Sequence, residues 1–239
     1  MTPHIVASFD AELQKLSALI ADMGATAGAQ IAAAAAALRT RDLTMARDVV
    51  AADKKIDAQQ VRIEDTVIQM IAKRQPVAID LRETIATLKI ATDLERMGDL
   101  AKNNAKRVIA MSTQVQPAGI GANLDALSAR VSEQLLQVLQ AYTRRDKELA
   151  HTVWSSDGEI DTLHTALFRE LLTYMMEDPR SIGYCAHLLF CAKNLERIGD
   201  HATNIAENVH YIATGQFLSG DRPKGPNPSN DVPLNAGGK

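Results

Sequence analysis

Leu94-Glu95-Arg96-Met97-Gly98-Asp99 returns, with one change, as Leu195-Glu196-Arg197-Ile198-Gly199-Asp200, 101 residues further along the chain. Each copy lies in a stretch whose apolar spacing predicts helix, and each sets a Glu and an Asp four residues apart. On a helix those carboxylates share one face, where like charges repel by about 0.2–0.5 kcal/mol per pair. The phrase also carries a glycine in mid-helix, at a cost of about 1 kcal/mol relative to alanine. Two local faults repeated at matched positions point to selection for something other than helix stability.

Outward from this phrase the repeat widens. Asp42, Ala46, Val49, Asp53, Ile56 and Asp57 recur at an offset of 104 as Asp146, Ala150, Val153, Asp157, Ile160 and Asp161. Upstream, Ile20, Met23, Ala27, Ile31 and Leu38 match Leu124, Leu127, Val131, Leu135 and Tyr142 at the same offset. The offset falls to 101 between Met70 and Leu88, around Pro76 in one half and Pro179 in the other. A deletion there shortens a turn and leaves both flanking helices whole. The duplication covers about residues 9–112 and 120–214.

Punctuation divides each half into three helices. The first runs from about Ser8 to Arg39, with Leu13, Leu16, Ile20, Met23, Ala27 and Ile31 at helical spacing. Asp42 is the expected N-cap of the second, which stops before Pro76, and Asp80 opens a third reaching Met111. The second half repeats this over about Asn123–Tyr142, Asp146–Met176 and Ser181–Thr214. Short connections make neighbours antiparallel. The expected fold is all-α, two tandem three-helix bundles: residues 1–116, residues 117–217, and a disordered tail at 218–239 rich in Gly, Pro, Asn and Ser.

Composition agrees with that class and narrows function. Aromatics are only 4% of the 239 residues, and alanine and aliphatics dominate, against a strand-rich protein. A net charge of −3 gives no global basic field for nucleic acid. The longest apolar run, Ile31–Leu38, is far short of the ~20 residues a membrane span needs, and the N-terminus lacks a signal-peptide pattern. Cys185 and Cys191, six apart on one helix, point in different directions and do not bridge each other. The expectation is a soluble cytoplasmic protein.

Chemistry concentrates in four acidic pairs. The middle helices carry Asp53/Asp57 and Asp157/Asp161; the third helices carry Glu95/Asp99 and Glu196/Asp200, each extended a turn by Asn103 or Asn204. A single such pair is ordinarily a solvated helix face, but four on equivalent helices of a duplication are not an accident of composition. Two such helices facing each other bring four carboxylates together, which must be protonated, paired with cations or bound to metal. An oxygen-only ligand set suits hard or borderline cations such as Mg²⁺, Ca²⁺, Mn²⁺ and iron. Gly98 and Gly199 admit a neighbouring helix or a bridging ligand close to the backbone, and Arg96 and Arg197 are placed to pair with acids on an adjacent helix.

Other candidates are weaker. His187 and Cys191 share a face but have no second pair at zinc-ligand spacing, so core packing is the better account. Trp154 stands where the first half has Val50 and is a core residue. No phosphate-binding glycine loop, nucleophile elbow or Cys–His dyad occurs, and no catalytic centre is expected. The alternative is a di-metal helical-bundle enzyme. It is disfavoured because no His stands three residues after a ladder Glu, as that class requires.

At these residues the chain resembles the PhoU family, over about residues 5–215. The family's duplicated E(D)xxxD pattern is met by Asp53/Asp57, Glu95/Asp99, Asp157/Asp161 and Glu196/Asp200. Arg74-Gln75-Pro76-Val77-Ala78 and the run from Asn194 to Glu207 look like the family as well. Met97 and Asn104 depart from its usual isoleucines, and Gly158 intrudes into the Asp157/Asp161 pair. The resemblance implies a metal-binding negative regulator of the phosphate-starvation (Pho) regulon, working at the cytoplasmic membrane face between a phosphate ABC transporter and a sensor histidine kinase. It further implies a homodimer and no enzymatic activity. The metal expected is divalent or trivalent, multinuclear sites included, among Mg, Mn, Fe, Zn and Ca, held by the eight ladder carboxylates.

Overall fold

The structure, a computed structural model, describes residues 3–117 and 120–218, with side chains from residue 11 onward. Among the described residues every regular element is helical. The α-helices are α1 (Pro3–Thr40), α2 (Leu43–Arg74), α3 (Ile79–Ala110), α4 (Ala122–Arg144), α5 (Lys147–Ser155), α6 (Asp157–Glu177) and α7 (Ile182–Thr214). A 3₁₀ turn, Pro179–Ser181, precedes α7. From Ser219 on, the expected tail lies outside the described residues, as do positions 118 and 119 of the linker.

The first turn of each repeat is built alike. Arg41 (φ 55°) and its equivalent Arg145 (φ 52°) take left-handed backbone, and the next residue is the N-cap. Asp42 accepts from the amides of Thr44 (2.8 Å) and Met45 (3.0 Å). Asp146 accepts from those of Glu148 and Leu149, both at 3.0 Å. Each cap satisfies amides that the first helical turn leaves open, for about 1 kcal/mol. The α2–α3 turn differs from expectation: Ala78, at φ 49°, occupies the cap position, so Asp80 lies inside the first turn of α3.

The second repeat's middle helix is also not the single element expected over Asp146–Met176. It breaks at Ser156 into α5 and α6. The Ser156 amide is shared between Thr152 O (3.1 Å) and Val153 O (3.3 Å), and the Glu159 amide bonds back to Ser156 O (3.1 Å), a tightened turn. The Ser156 hydroxyl also bonds Val153 O, at 3.0 Å. Composition explains the break: Ser155-Ser156-Asp157-Gly158 stands where α2 has Ala51-Ala52-Asp53-Lys54. Serine side chains compete for backbone groups, and glycine weakens the helix.

The repeats share one core. Helices α3 and α7 run antiparallel through its middle, and α1 packs on α4. The seam between α3 and α7 carries His201 Nδ1–Asp93 Oδ1 at 2.8 Å and an Asn194-to-Asn104 hydrogen bond at 2.8 Å. Leu16, Ile20, Met23, Ile31, Ile56, Ile63, Ile90, Leu94, Leu127 and Leu135 are fully buried at helical spacing. Over Ala11–Thr40, α1 is long and apolar enough to cross a membrane, at a mean hydropathy of 1.2. Here its Leu16, Ile20, Met23 and Ile31 face lies in the core, and it packs against α2, α3 and α4. Trp154 is a core residue, its indole N–H donating to Glu207 at 3.1 Å.

Candidate metal centres

Each acidic ladder lies where three helices of its repeat meet. In the first repeat, Asp53 on α2 is buried, 5% exposed, although it is a carboxylate. What makes that tolerable is Lys102, three residues beyond Asp99 on α3. Its Nζ lies 2.5 Å from Asp53 Oδ2 and 2.5 Å from Asp99 Oδ1, so one ammonium bridges the two helices. Burial opposes charge on Lys102, but the two carboxylates outweigh it and hold the lysine well above its usual range. Gln30 of α1 completes the floor: its Nε2 donates to Asp53 Oδ1 (3.3 Å), Val49 O (3.4 Å) and Gly98 O (3.5 Å).

Glu95 and Asp99 share a side-chain hydrogen bond and titrate in opposite directions. Burial and the charge of Asp99 raise Glu95, with a further push from Asp57; Arg96 opposes them. Burial also resists charge on Asp99, but Lys102, the hydrogen bond from Glu95 and Arg96 carry its pKa below the usual carboxylate range. Glu95 therefore feels Asp99 on its own helix and Asp57 on α2, although Asp57 itself is exposed. Arg96 does not reach an adjacent helix, as the sequence suggested. It is exposed and pairs within α3, 3.5 Å from Glu95 and 3.8 Å from Asp99.

The second repeat keeps the plan and changes its parts. Asp157 on α6 is again buried, 4% exposed. The position of Lys102 is filled by Thr203, whose hydroxyl lies 3.2 Å from Asp157 Oδ1 and from Gly199 O. Gln134, the counterpart of Gln30, lies 3.5 Å from Thr203 Oγ1 and Val153 O. Glu196 is held by Lys193, with Nζ 2.8 Å from Oε1 and 2.7 Å from Oε2. His164 feels both this lysine and Asp161: burial first, then the Lys193 charge, lower its pKa, and Asp161 opposes them. Asp200 is partly buried and Arg197 exposed on α7. Asn204 donates to Asp93 across the seam (3.3 Å) instead of extending the ladder.

The glycines of the repeated phrase are contact points for the neighbouring helix. A Cβ on Gly98 would lie 2.6 Å from Ile56 Cδ1, and one on Gly199 2.6 Å from Ile160 Cδ1, an equivalent pair. Each ladder helix thus approaches the middle helix closely at the glycine of the repeated phrase. The His187–Cys191 pair is not a zinc site: His187 Nδ1 is 3.3 Å from an Arg107 guanidinium nitrogen, and Cys191 is buried. Burial pushes the Cys191 thiol up to about 12.

Whether these residues suit a cation is tested by the acceptors they leave over. Gln30 Oε1 and Gln134 Oε1 are buried without a hydrogen-bond partner, whereas both oxygens of Glu196 lie within 2.8 Å of the Lys193 ammonium. Orphaned buried oxygens beside clustered carboxylates make an oxygen-rich donor set suited to a hard cation. Among the described residues, no three His, Cys, Asp or Glu side chains are gathered to coordinate an ion; in the first repeat Lys102 stands between two of them. Neither Lys102 nor the glutamines were anticipated from sequence. The signals were there, a lysine three residues past Asp99 and a Gln30/Gln134 match at the 104 offset.

The family model for the PhoU domain matches this chain twice, at residues 20–108 and 124–209. A phosphate-specific transport system accessory protein PhoU homolog of Rhizobium meliloti is 50% identical over 221 residues, 92% of this chain and 93% of that protein. A protein of the same description from Caulobacter vibrioides is 48% identical over 94% of this chain and 97% of its own. The crystal structure of PhoU from Pseudomonas aeruginosa superposes with a TM-score of 0.83 at 35% identity, covering 87% of this chain and 100% of that one. The phosphate transport system regulatory protein PhoU from Streptococcus pneumoniae superposes at 0.80 with 29% identity, over 88% and 99%.

Proposed function

The chain belongs to the PhoU family, and from that premise we propose that it is an accessory regulator of a phosphate transport system whose two acidic centres bind metal. The observation that carries the regulatory part is the similarity itself: near-full-length relatives at about half identity are named as accessory proteins of phosphate transport. In the finer reading the protein acts as a cytoplasmic homodimer at the membrane face. It relays the state of the phosphate ABC transporter to a sensor histidine kinase and keeps the phosphate-starvation regulon off when phosphate is plentiful. It has no catalytic role of its own.

The metal part is supported by the buried orphan acceptors and the paired carboxylates. Asp53, Asp57, Glu95 and Asp99 would hold a cation in the first repeat, and Asp157, Asp161, Glu196 and Asp200 in the second. A bound cation would supply positive charge between helices whose ladders otherwise repel. The chain's contribution is to hold buried Asp53 and Asp157 opposite the ladder of the third helix, with the glutamine beneath and the glycine setting the spacing.

Deletion of the gene in its host, with an alkaline-phosphatase reporter, tests the regulatory reading. The reporter is expected to rise under phosphate-replete conditions; a silent reporter refutes it. Elemental analysis of protein purified without chelator or affinity metal tests the metal reading. Metal content should fall when Asp99 and Asp200 are changed to Asn, and unchanged content removes the assignment.

A further inference from the structure

We propose that the two acidic centres are unequal: the second repeat takes up a divalent cation first, while in the first repeat Lys102 occupies the inter-helix position as a built-in substitute cation. This rests on the metal reading above and adds an order to it. The duplication supplies the comparison, because each residue of one centre has a counterpart in the other.

Each centre has four ladder carboxylates, one arginine inside the repeated phrase and one lysine three residues from the ladder on the third helix, Lys102 or Lys193. What differs is where that lysine stands. At the position before the ladder, the first repeat has Thr92 and the second Lys193; at the position after it, Lys102 and Thr203. The lysine has changed ends. Lys193 sits on the flank, its side chain 55% exposed, and touches Glu196. Lys102 is drawn in, 21% exposed, and ties buried Asp53 of α2 to Asp99 of α3.

A cation entering the first centre between α2 and α3 has to displace an ammonium bonded to two carboxylates. Charge-assisted hydrogen bonds are about twice as strong as neutral ones, and the ammonium has no lone pair to offer a metal in return. In the second centre the same position holds the Thr203 hydroxyl. Its oxygen is itself a neutral donor of the kind hard cations accept. Beneath it lies Gln134, fully buried, with Nε2 turned to Thr203 and Oε1 without a partner. Gln30 in the first repeat likewise leaves Oε1 without a partner, but its Nε2 donates to Asp53 Oδ1 and helps to fix that carboxylate on its ammonium. Both centres have an orphan carboxamide oxygen, but beside it the second presents a hydroxyl where the first presents a fixed positive charge.

Titration of the full-length protein with Mn²⁺ alone, reading free Mn²⁺ by electron paramagnetic resonance, tests this. Displacing one charge-assisted hydrogen bond costs roughly a factor of ten in affinity or more, so wild type should show two classes of site about tenfold or more apart. Asp200→Asn should remove the tight class and Asp99→Asn the weak one. Lys102→Thr should draw the weak class toward the tight, and Thr203→Lys should loosen the tight class by about tenfold or more. If Lys102→Thr does not fold, as circular dichroism would show, Thr203→Lys decides. Two equal classes in wild type, Mn²⁺ affinities indifferent to both swaps, or loss of the tight class in Asp99→Asn would overturn the inference and leave the metal reading standing. No Mn²⁺ bound at concentrations of about 1 mM would overturn the metal reading itself.

Discussion

The contact between Gly98 and Ile56 makes a quantitative prediction. In Gly98→Ala the new methyl would sit 2.6 Å from Ile56 Cδ1, inside van der Waals contact, while the next atoms, Gln30 Oε1 and Ile56 Cγ2, are both an ordinary 3.5 Å away. Ile56 is fully buried, so accommodating the methyl disturbs core packing, at about 1–3 kcal/mol. Alanine returns about 1 kcal/mol of helix propensity, leaving a net loss of about 0–2 kcal/mol. Ile56→Val removes the clashing atom and by itself costs about 0.5–1.5 kcal/mol. In the double variant the alanine methyl enters the space that Cδ1 vacated. The overpacking term then disappears, and stability should return to within about 0.5 kcal/mol of wild type. A double-mutant cycle should therefore show about 1–3 kcal/mol of favourable coupling. Urea unfolding followed by both circular dichroism and the fluorescence of Trp154 measures all four corners. Losses that simply add would show that the glycine does not set the α2–α3 distance, and the packing argument for the repeated phrase would fall with it. Gly199 and Ile160 should behave alike, with a larger residual loss because Gln134 Oε1 is 3.3 Å from the added methyl.

Three further outcomes follow from contacts away from the ladders. Glu12 is paired with Arg74 at 2.9 Å, and that hydrogen bond holds its carboxyl below the usual value. The pair's contribution is present above the unfolded pKa of 4.5 and lost as pH falls through the folded one. The difference in urea midpoint between wild type and Glu12→Gln should therefore shrink on acidification; a constant or growing difference contradicts it. The Cys191 thiol, raised to about 12 by burial, should react with a disulfide reagent at pH 8 only as fast as the protein opens, whereas prompt labelling of the folded protein would show that it is accessible. Glu207→Leu leaves the Trp154 indole N–H without its acceptor at 3.1 Å and should cost about 1–3 kcal/mol. Glu207→Gln should lose clearly less, and equal losses would place the effect elsewhere.

The sequence was most legible where the physics is local or repeated. Asp42 and Asp146 were readable as caps because a carboxylate before an apolar-periodic run has few other uses. The paired helices of the two repeats followed from spacing, since a 3.6-residue period survives substitution of individual apolar residues. The break at Ser156 is not legible in the repeat, because α2 is unbroken at the equivalent position; only the local Ser-Ser-Asp-Gly run weakens the helix there. At the site, the acids were visible and what surrounds them was not. Lys102 lies three residues past Asp99, but nothing local says that it crosses to Asp53, 49 residues away in the chain. Arg96 was misplaced for the converse reason: on an exposed face it pairs within its own helix, and its sequence position does not tell the two cases apart.

Divergence between the repeats separates what the architecture requires from what each centre can vary. Both keep the glycine against an isoleucine, the buried aspartate of the middle helix and the glutamine beneath it. These residues set the helix spacing and hold a carboxylate almost wholly buried, a costly arrangement unless that charge is compensated. One partner of that aspartate is what changed, from the Lys102 ammonium to the Thr203 hydroxyl. If the aspartates served stability alone, replacing an aspartate and its partner with apolar residues would be neutral or better, since buried ion pairs seldom outperform well-packed hydrophobic ones. The duplication has instead retained both carboxylates while exchanging their partners. That pattern fits carboxylates kept for a ligand, with the neighbouring residue left free to tune how readily it enters.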